Sequence, residues 1–314
     1  MDSVIVLASR LFSIFLIIGV GYFIYSKKMI DEKQRAGLSL ILNRVALPMM
    51  IIVSILRMQF NYDILRNVLV ITGGFILTYL LVYLFTSIYA KKKGLTHYSR
   101  TVLINGGVHG NVAFLGFPLI YSVFGEQGLF YATLYFVIDN VFMHTIGMSR
   151  LQRDYEKERT LAPVTIALIV GLILMVISHL LHISFIENPV FNAVNDLASI
   201  TTPIAFMFIG MIMKDYKIKE LLKNQNALYL LLVKMVVVPI LLMVLLKPLV
   251  GFVPVFIINV LVIQASMPPY ASLLSMAYEY KKDMDLASSA VVLGTLISIV
   301  TIPILFTMMN LFYT

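Results

Sequence analysis

The sequence predicts an all-α polytopic membrane protein with ten transmembrane helices. Three observations carry that expectation: the composition, ten apolar runs of spanning length, and the alternation of basic loops between them. Of the 314 residues 60% are apolar and 13% are charged, with a mean hydropathy of +0.93. Soluble domains run near half apolar and a quarter charged, so an ordinary soluble enzyme is excluded, as are disordered and collagen-like chains. The formal net charge is +8, from 24 Lys+Arg against 16 Asp+Glu. In so apolar a chain a basic excess speaks to membrane orientation before nucleic acid, and no nucleic-acid partner is expected. The absence of Cys removes disulfides, thiolate metal sites and Cys nucleophiles together.

A helix needs about 20 predominantly apolar residues to cross the hydrocarbon core. Runs of that length fall at 4–26, 37–57, 65–90, 101–124, 128–149, 163–181, 189–213, 226–246, 253–277 and 286–312. The period-2 pattern of a membrane barrel is missing, so the spans are helical. The first is not a cleavable signal, since no basic residue precedes it and Arg10 lies inside it. The loops after spans 1, 3, 5, 7 and 9 carry eighteen Lys and Arg, among them Lys27, Lys91, Arg150, Lys214 and Lys281. The opposite loops carry only Arg57, Arg66 and Lys247. The positive-inside rule then puts the five basic loops in the cytoplasm and both termini outside the plasma (inner) membrane.

The chain also suggests a repeat of about half its length. Pro48 in Val45-Ala46-Leu47-Pro48 and Pro203 in Ile200-Thr201-Thr202-Pro203 are offset by 155, and spans 4 and 9 both carry interruptions. The halves are 1–149 and 163–314, joined by a cytoplasmic linker at 150–162. Five spans per half is an odd number, so the second half enters the membrane inverted.

Span 4 reads Asn105-Gly106-Gly107-Val108-His109-Gly110-Asn111 and runs on to Gly116-Phe117-Pro118. Gly costs about 1 kcal/mol inside a helix and Pro about 3, and Pro118 deprives the carbonyl of Phe114 of its donor. Span 9 has its own break in Gln264-Ala265-Ser266-Met267-Pro268-Pro269-Tyr270. Paired broken helices at matching places in inverted halves point to a midplane binding site where they cross. Half-helix N-termini there favour anions, and Asn105, Asn111, Asn259 and Gln264 add neutral donors and acceptors. Each amide has an equally physical reading as a helix–helix hydrogen bond.

The string Gly110-Asn111-Val112-Ala113-Phe114-Leu115-Gly116-Phe117-Pro118 resembles the fourth-helix motif of the auxin efflux carrier family, with its Asn seven residues before the proline. Gly125-Glu126-Gln127-Gly128, Thr202-Pro203, Met267-Pro268 through Tyr280, and Ile302-Pro303 continue the likeness along the whole chain. The resemblance implies two inverted five-helix repeats. It implies a scaffold of spans 1, 2, 6 and 7 that dimerises, and a moving transport domain of spans 3–5 and 8–10. It further implies a small organic anion as substrate, a carboxylate such as a dicarboxylate or an auxin-like indole acid, carried by an elevator-type motion. Asn111 matches the family's substrate-coordinating Asn, and Pro118 its crossover proline. Leu273 stands where plant members place a second crossover proline, with Pro268 and Pro269 upstream.

Ionisable groups inside spans are costly and therefore functional candidates. Asp139 lies about 16 Å into span 5 at 1.5 Å per residue, near the midplane. Lys234 lies in span 8, where it could pair with Asp139, either as a route to coupling with H⁺ or Na⁺ or as a fixed structural ion pair. His109 sits inside the break, as a proton switch or a hydrogen-bonded core imidazole. Arg44 and Arg10 snorkel to the interface, with Arg44 retained as an anion contact from the scaffold side. No His-x-x-x-His, Glu-x-x-His or nucleophile–base pattern occurs, so neither catalysis, a metal nor a cofactor is expected. An anion channel and a non-transporting receptor or scaffold remain the alternatives.

Overall fold

The computed structural model describes residues 2–57, 63–147, 163–181, 183–186, 188–214, 218–270 and 272–313. The expected linker at 150–162 lies outside the described residues. Helices dominate: α1 (Asp2–Ser26), α2 (Glu32–Leu56), α3 (Asp63–Lys92), α4 (His97–Val108), α5 (112–124) and α6 (126–147) make up the first half. The second half has α7 (Pro163–Leu181), α8 (Pro189–Ile212), α9 (Gln225–Leu249), α10 (Val255–Ala265), α11 (Ser272–Glu279) and α12 (Met284–Tyr313). No strand forms among the described residues, only two isolated bridges. Six helical runs are long and apolar enough to cross a membrane, namely α2, α3, the continuous run Val112–Gly147, α8, α9 and α12. Shorter apolar helices lie at Leu16–Ser26, Thr165–Leu181 and Val255–Ala265. The run Val112–Gly147 is bent at Gly125, whose φ of 64° and ψ of −155° are open to glycine and strained for other residues. That bend separates α5 from α6.

The chain divides into two compact units. Unit one comprises Met1–Tyr62, Ala113–Thr133 and Lys157–Asp215; unit two comprises Asp63–Val112, Leu134–Glu156 and Tyr216–Thr314. In unit one α1 packs on the second half of α8 at backbone distance. A Cβ on Gly21 would fall 2.0 Å from the Met207 carbonyl oxygen, and one on Gly210 2.0 Å from that of Ile18. Small residues facing each other in this way let apolar helices gain dispersion energy, the main attraction available in lipid. At the end of α2, Arg57 donates to Glu126 (2.7 Å) and to Asn195 (2.9 Å), binding the Gly125 bend to α8. In unit two α4 and α12 share a core of Val102, Leu103, Leu230, Leu273 and Ala290. Tyr89 of α3 stacks on Tyr229 of α9 with centroids 3.7 Å apart and donates to Asn226 at 3.0 Å.

Three prolines are absorbed in a common way. The π-helical turns Leu42–Ala46, Val112–Gly116 and Val233–Val237 each end two residues before a proline: Pro48, Pro118 and Pro239. A proline clashes with the carbonyl four residues back, which here is that of Arg44, Phe114 or Met235. Widening the turn moves that carbonyl out of the way, and the amide of Leu47 indeed reaches back five residues to Leu42, as that of Val238 does to Val233. Pro118 therefore does not break its helix. The expected crossover at that residue is displaced: the interruption lies at His109–Asn111, and Pro118 is buried in a continuous helix beyond it.

Candidate functional site: the meeting of two interrupted helices

Helix α4 starts at an N-cap, Thr96, whose hydroxyl accepts from the Ser99 amide at 3.2 Å. It stops at Val108, where His109 turns extended at φ −89° and ψ 132°; the preceding Gly106 and Gly107 weaken the last turn as helix formers and are packed so closely that a Cβ would fall 2.8 Å from Leu273 and 2.7 Å from Val82. Helix α10 stops at Ala265 because Pro268 and Pro269 lack the amides needed to continue it. The two interruptions touch. Asn111 N–H donates to the Pro268 carbonyl at 2.7 Å, and Gly110 forms an antiparallel bridge with Pro269. A Cβ at Gly110 would press on Met267, 3.2 Å from its Cβ and 3.4 Å from its carbonyl oxygen, so the two interruptions lie close together at this glycine. Gln264 adds a longer tie, its amide donating to the Val112 carbonyl at 3.4 Å.

Ionisable side chains gather around this contact. His109 Nδ1 lies 2.6 Å from Asp139 Oδ1, and both side chains are buried. With Asp139 ionised the imidazole donates from Nδ1, which fixes its tautomer. Lys234, 1% exposed, donates to the Gly107 carbonyl at 2.6 Å and more distantly to that of Val108 at 3.4 Å. Asn105 donates to the Gly147 carbonyl at 3.3 Å. Tyr270 stands edge-on to the His109 ring, with centroids 6.1 Å apart. Among the described residues, Asn105 Oδ1, His109 Nε2 and Asn259 Oδ1 are buried without a hydrogen-bond partner. Unpaired buried polar atoms are rare in packed proteins, because each costs about 1–3 kcal/mol. The first two converge on one spot: a Cβ on Gly147 would sit 3.0 Å from His109 Nε2 and 3.6 Å from Asn105 Oδ1.

The structure thus brings together Asn105, His109, Gly110, Asn111, Asp139, Lys234, Gln264, Pro268 and Pro269, all in unit two. The half-buried Asn111 side chain makes no hydrogen bond within the described residues, which leaves its amide available to a ligand. Asn259 is buried in α10, between one and two turns before the break. Pro118 and Arg44 belong to unit one; Arg44 is exposed on the π turn Leu42–Ala46. Asp139 and Lys234 form no direct ion pair within 4.0 Å among the described residues, although the carboxylate acts on the ammonium electrostatically. Asp139 takes His109, while Lys234 takes backbone carbonyls that a helix end leaves open. Sequence reasoning missed Gly147 and Ser266. The only signal for Gly147 was a glycine near the end of an apolar run. Ser266 stands beside the double proline, and its hydroxyl donates to the Ile263 carbonyl at 2.8 Å, finishing α10 from within.

Helix interruptions held against each other, with a free amide and buried ionisable groups beside them, match the way transporters build ligand sites. Comparison with protein families agrees. The chain matches the family described as membrane transport protein twice, over residues 6–160 and 150–306. It belongs to the auxin efflux carrier family. No curated protein matches the chain. The family is one of membrane transporters and not of enzymes.

Proposed function

We propose that this chain is a secondary transporter of a small organic anion, a carboxylate such as a dicarboxylate or an auxin-like indole acid. The observation that carries the reading is the contact of the two interruptions through Asn111 N–H and the Pro268 carbonyl, beside the uncommitted Asn111 side chain. The restarting helix α5 and the eight-residue α11 direct N-terminal amides toward the interruptions, and such ends attract carboxylates. Asn111, with Asn105, Gln264 and Asn259 as further amides, selects the carboxylate by hydrogen bonding without a fixed opposite charge.

The wider assembly follows the family reading. Ten spans form two inverted five-helix repeats; unit one supplies the dimerising scaffold and unit two the moving domain of an elevator. The division into compact units supports this, since unit one collects α1, α2, α7 and α8. It adds one qualification: Ala113–Thr133 keeps company with unit one, so α5 changes partners as the elevator moves. The protein resides in the plasma membrane with both termini outside and the basic loops inside. Asp139 with His109 takes part in charge coupling.

The test is ligand-dependent thermal stabilisation of purified protein across malate, malonate, succinate and indole-3-acetate. One acid raises the melting temperature of the natural sequence, and Asn111→Ala lowers affinity for it about 10-fold or more, the scale of one lost hydrogen bond to a charged group. Stabilisation by none of these anions, together with no uptake into vesicles, rejects the transport reading. Saturable uptake separates a carrier from a channel. Uptake by Asp139→Asn that keeps the pH and Na⁺ dependence of the natural sequence would remove Asp139 from coupling.

A further inference from the structure

The last four carbonyls of any helix lack intrahelical donors, and at a break inside the membrane that end carries about half a negative charge. Transporters commonly satisfy such half-helix ends with a bound cation. The two interrupted helices here finish differently. At α10 the chain satisfies itself: the Ser266 amide reaches the Val262 and Ile263 carbonyls, the Ser266 hydroxyl donates to Ile263, and the Met267 amide reaches Gln264. At α4 the Asn105 carbonyl takes the His109 amide at 3.0 Å. The carbonyls of Gly107 and Val108 instead take the ammonium of Lys234, from another helix.

Lys234 has no carboxylate within 4.0 Å among the described residues, though it is buried. A membrane-buried ammonium is expensive and survives only where something negative holds it. Here the α4 end holds it directly, and the carboxylate of Asp139 acts on it from beyond 4.0 Å. The side chain reaches it from the π turn Val233–Val237, which the downstream Pro239 accompanies. The ammonium stands on the carbonyls a metal cation would otherwise bridge, with the charge of a monovalent ion and N–H groups in place of coordination bonds.

We propose that Lys234 is a tethered cation filling the cation site at the α4 end, so that the broken helix is held and ligand is bound without Na⁺. This deepens the transport reading and rests on it for the term ligand, but its first test needs no organic anion. The melting temperature of the purified full chain is measured in NaCl and in choline chloride at equal ionic strength. The expected result is no difference. A saturable rise of about 5 °C or more with Na⁺ would mean that a metal ion occupies a site of its own, and would overturn the proposal.

The second test uses Lys234→Ala, purified with and without ethylammonium chloride, an ammonium small enough to enter the vacated space. Ethylammonium restores at least half of the lost melting temperature, and choline restores none. Equal melting of Lys234→Ala and the natural sequence without any amine overturns the proposal; so does failure of ethylammonium to stabilise the variant. If the variant does not fold without amine, recovery of folded protein by ethylammonium is the expected result, and no recovery overturns it. The carboxylate panel tests transport separately: it can fail while both stability tests succeed, or the reverse.

Discussion

Unit one and unit two differ in what they bury. Among the described residues, the buried polar side chains of unit one are Ser54, Thr133 and Thr201, and none is ionisable. Unit two buries Asp139, His109 and Lys234 together with Asn67, Asn105, Asn259 and Gln264. Unit one is held by close apolar packing, with Gly21 and Gly210 at backbone contact, and its principal ion pair, Arg57–Glu126, is about one-third exposed. Unit two packs as closely, with Gly74 against Leu261 for one, and adds polar contacts that need one another. The first arrangement suits a part that keeps its shape, the second a part that must respond to charge.

The comparison is open to attack most strongly at Asp139. Asp139→Leu leaves His109 buried without its partner and costs about 3–5 kcal/mol, read as a loss of melting temperature in detergent. The double variant His109→Leu with Asp139→Leu recovers much of this, because removing both polar partners costs less than stranding one. A double variant as unstable as the single one would show that the pair does not act as a pair. Next comes unit one: Gly210→Leu forces α1 and α8 apart and costs about 3 kcal/mol. A Gly210→Leu protein as stable as the natural one would refute the backbone-contact packing.

The smallest effect belongs to the exposed pair. Arg57→Ala costs at most about 1 kcal/mol in stability. The same position gives a sharper functional probe, because the chain has no Cys. Arg57→Cys combined with Glu126→Cys, joined by a short thiol-reactive linker, arrests uptake if α5 and its bend must change partners. Ligand binding survives the linkage. Undiminished uptake in the linked protein would remove the elevator motion from this region.

The helical character of the chain, its six long apolar runs and its two interruptions were legible from the sequence, since length, hydropathy, glycine and proline act locally. His109, Gly110, Asn111, Pro268 and Pro269 were singled out for that reason. Partner choice was not legible. The place of Asp139 along α6 says how deep it lies but not which side chain of another helix faces it, so the sequence offered Lys234 as its partner and not His109. Pro118 misled for a related reason: a proline reports a missing donor, and the backbone has two remedies, to stop or to widen. Here it widened, and the stop came at the glycines.

Those widened turns have a bearing on how the sequence can change. Each π turn holds one residue more than an α-turn would need, so it behaves as a stored insertion beside its proline. Deleting a single residue between Val112 and Gly116 would turn it back into an α-turn and leave the faces after it nearly where they are, at the cost of the renewed clash between Pro118 and the carbonyl four residues back. The same deletion in the plain α-helix that follows has no store to draw on and would swing everything after it by about 100° around the axis. Faces now buried in unit one, Ile120 among them, would be traded for faces that meet lipid. A one-codon loss is thus mild at the π turn and severe a turn further on.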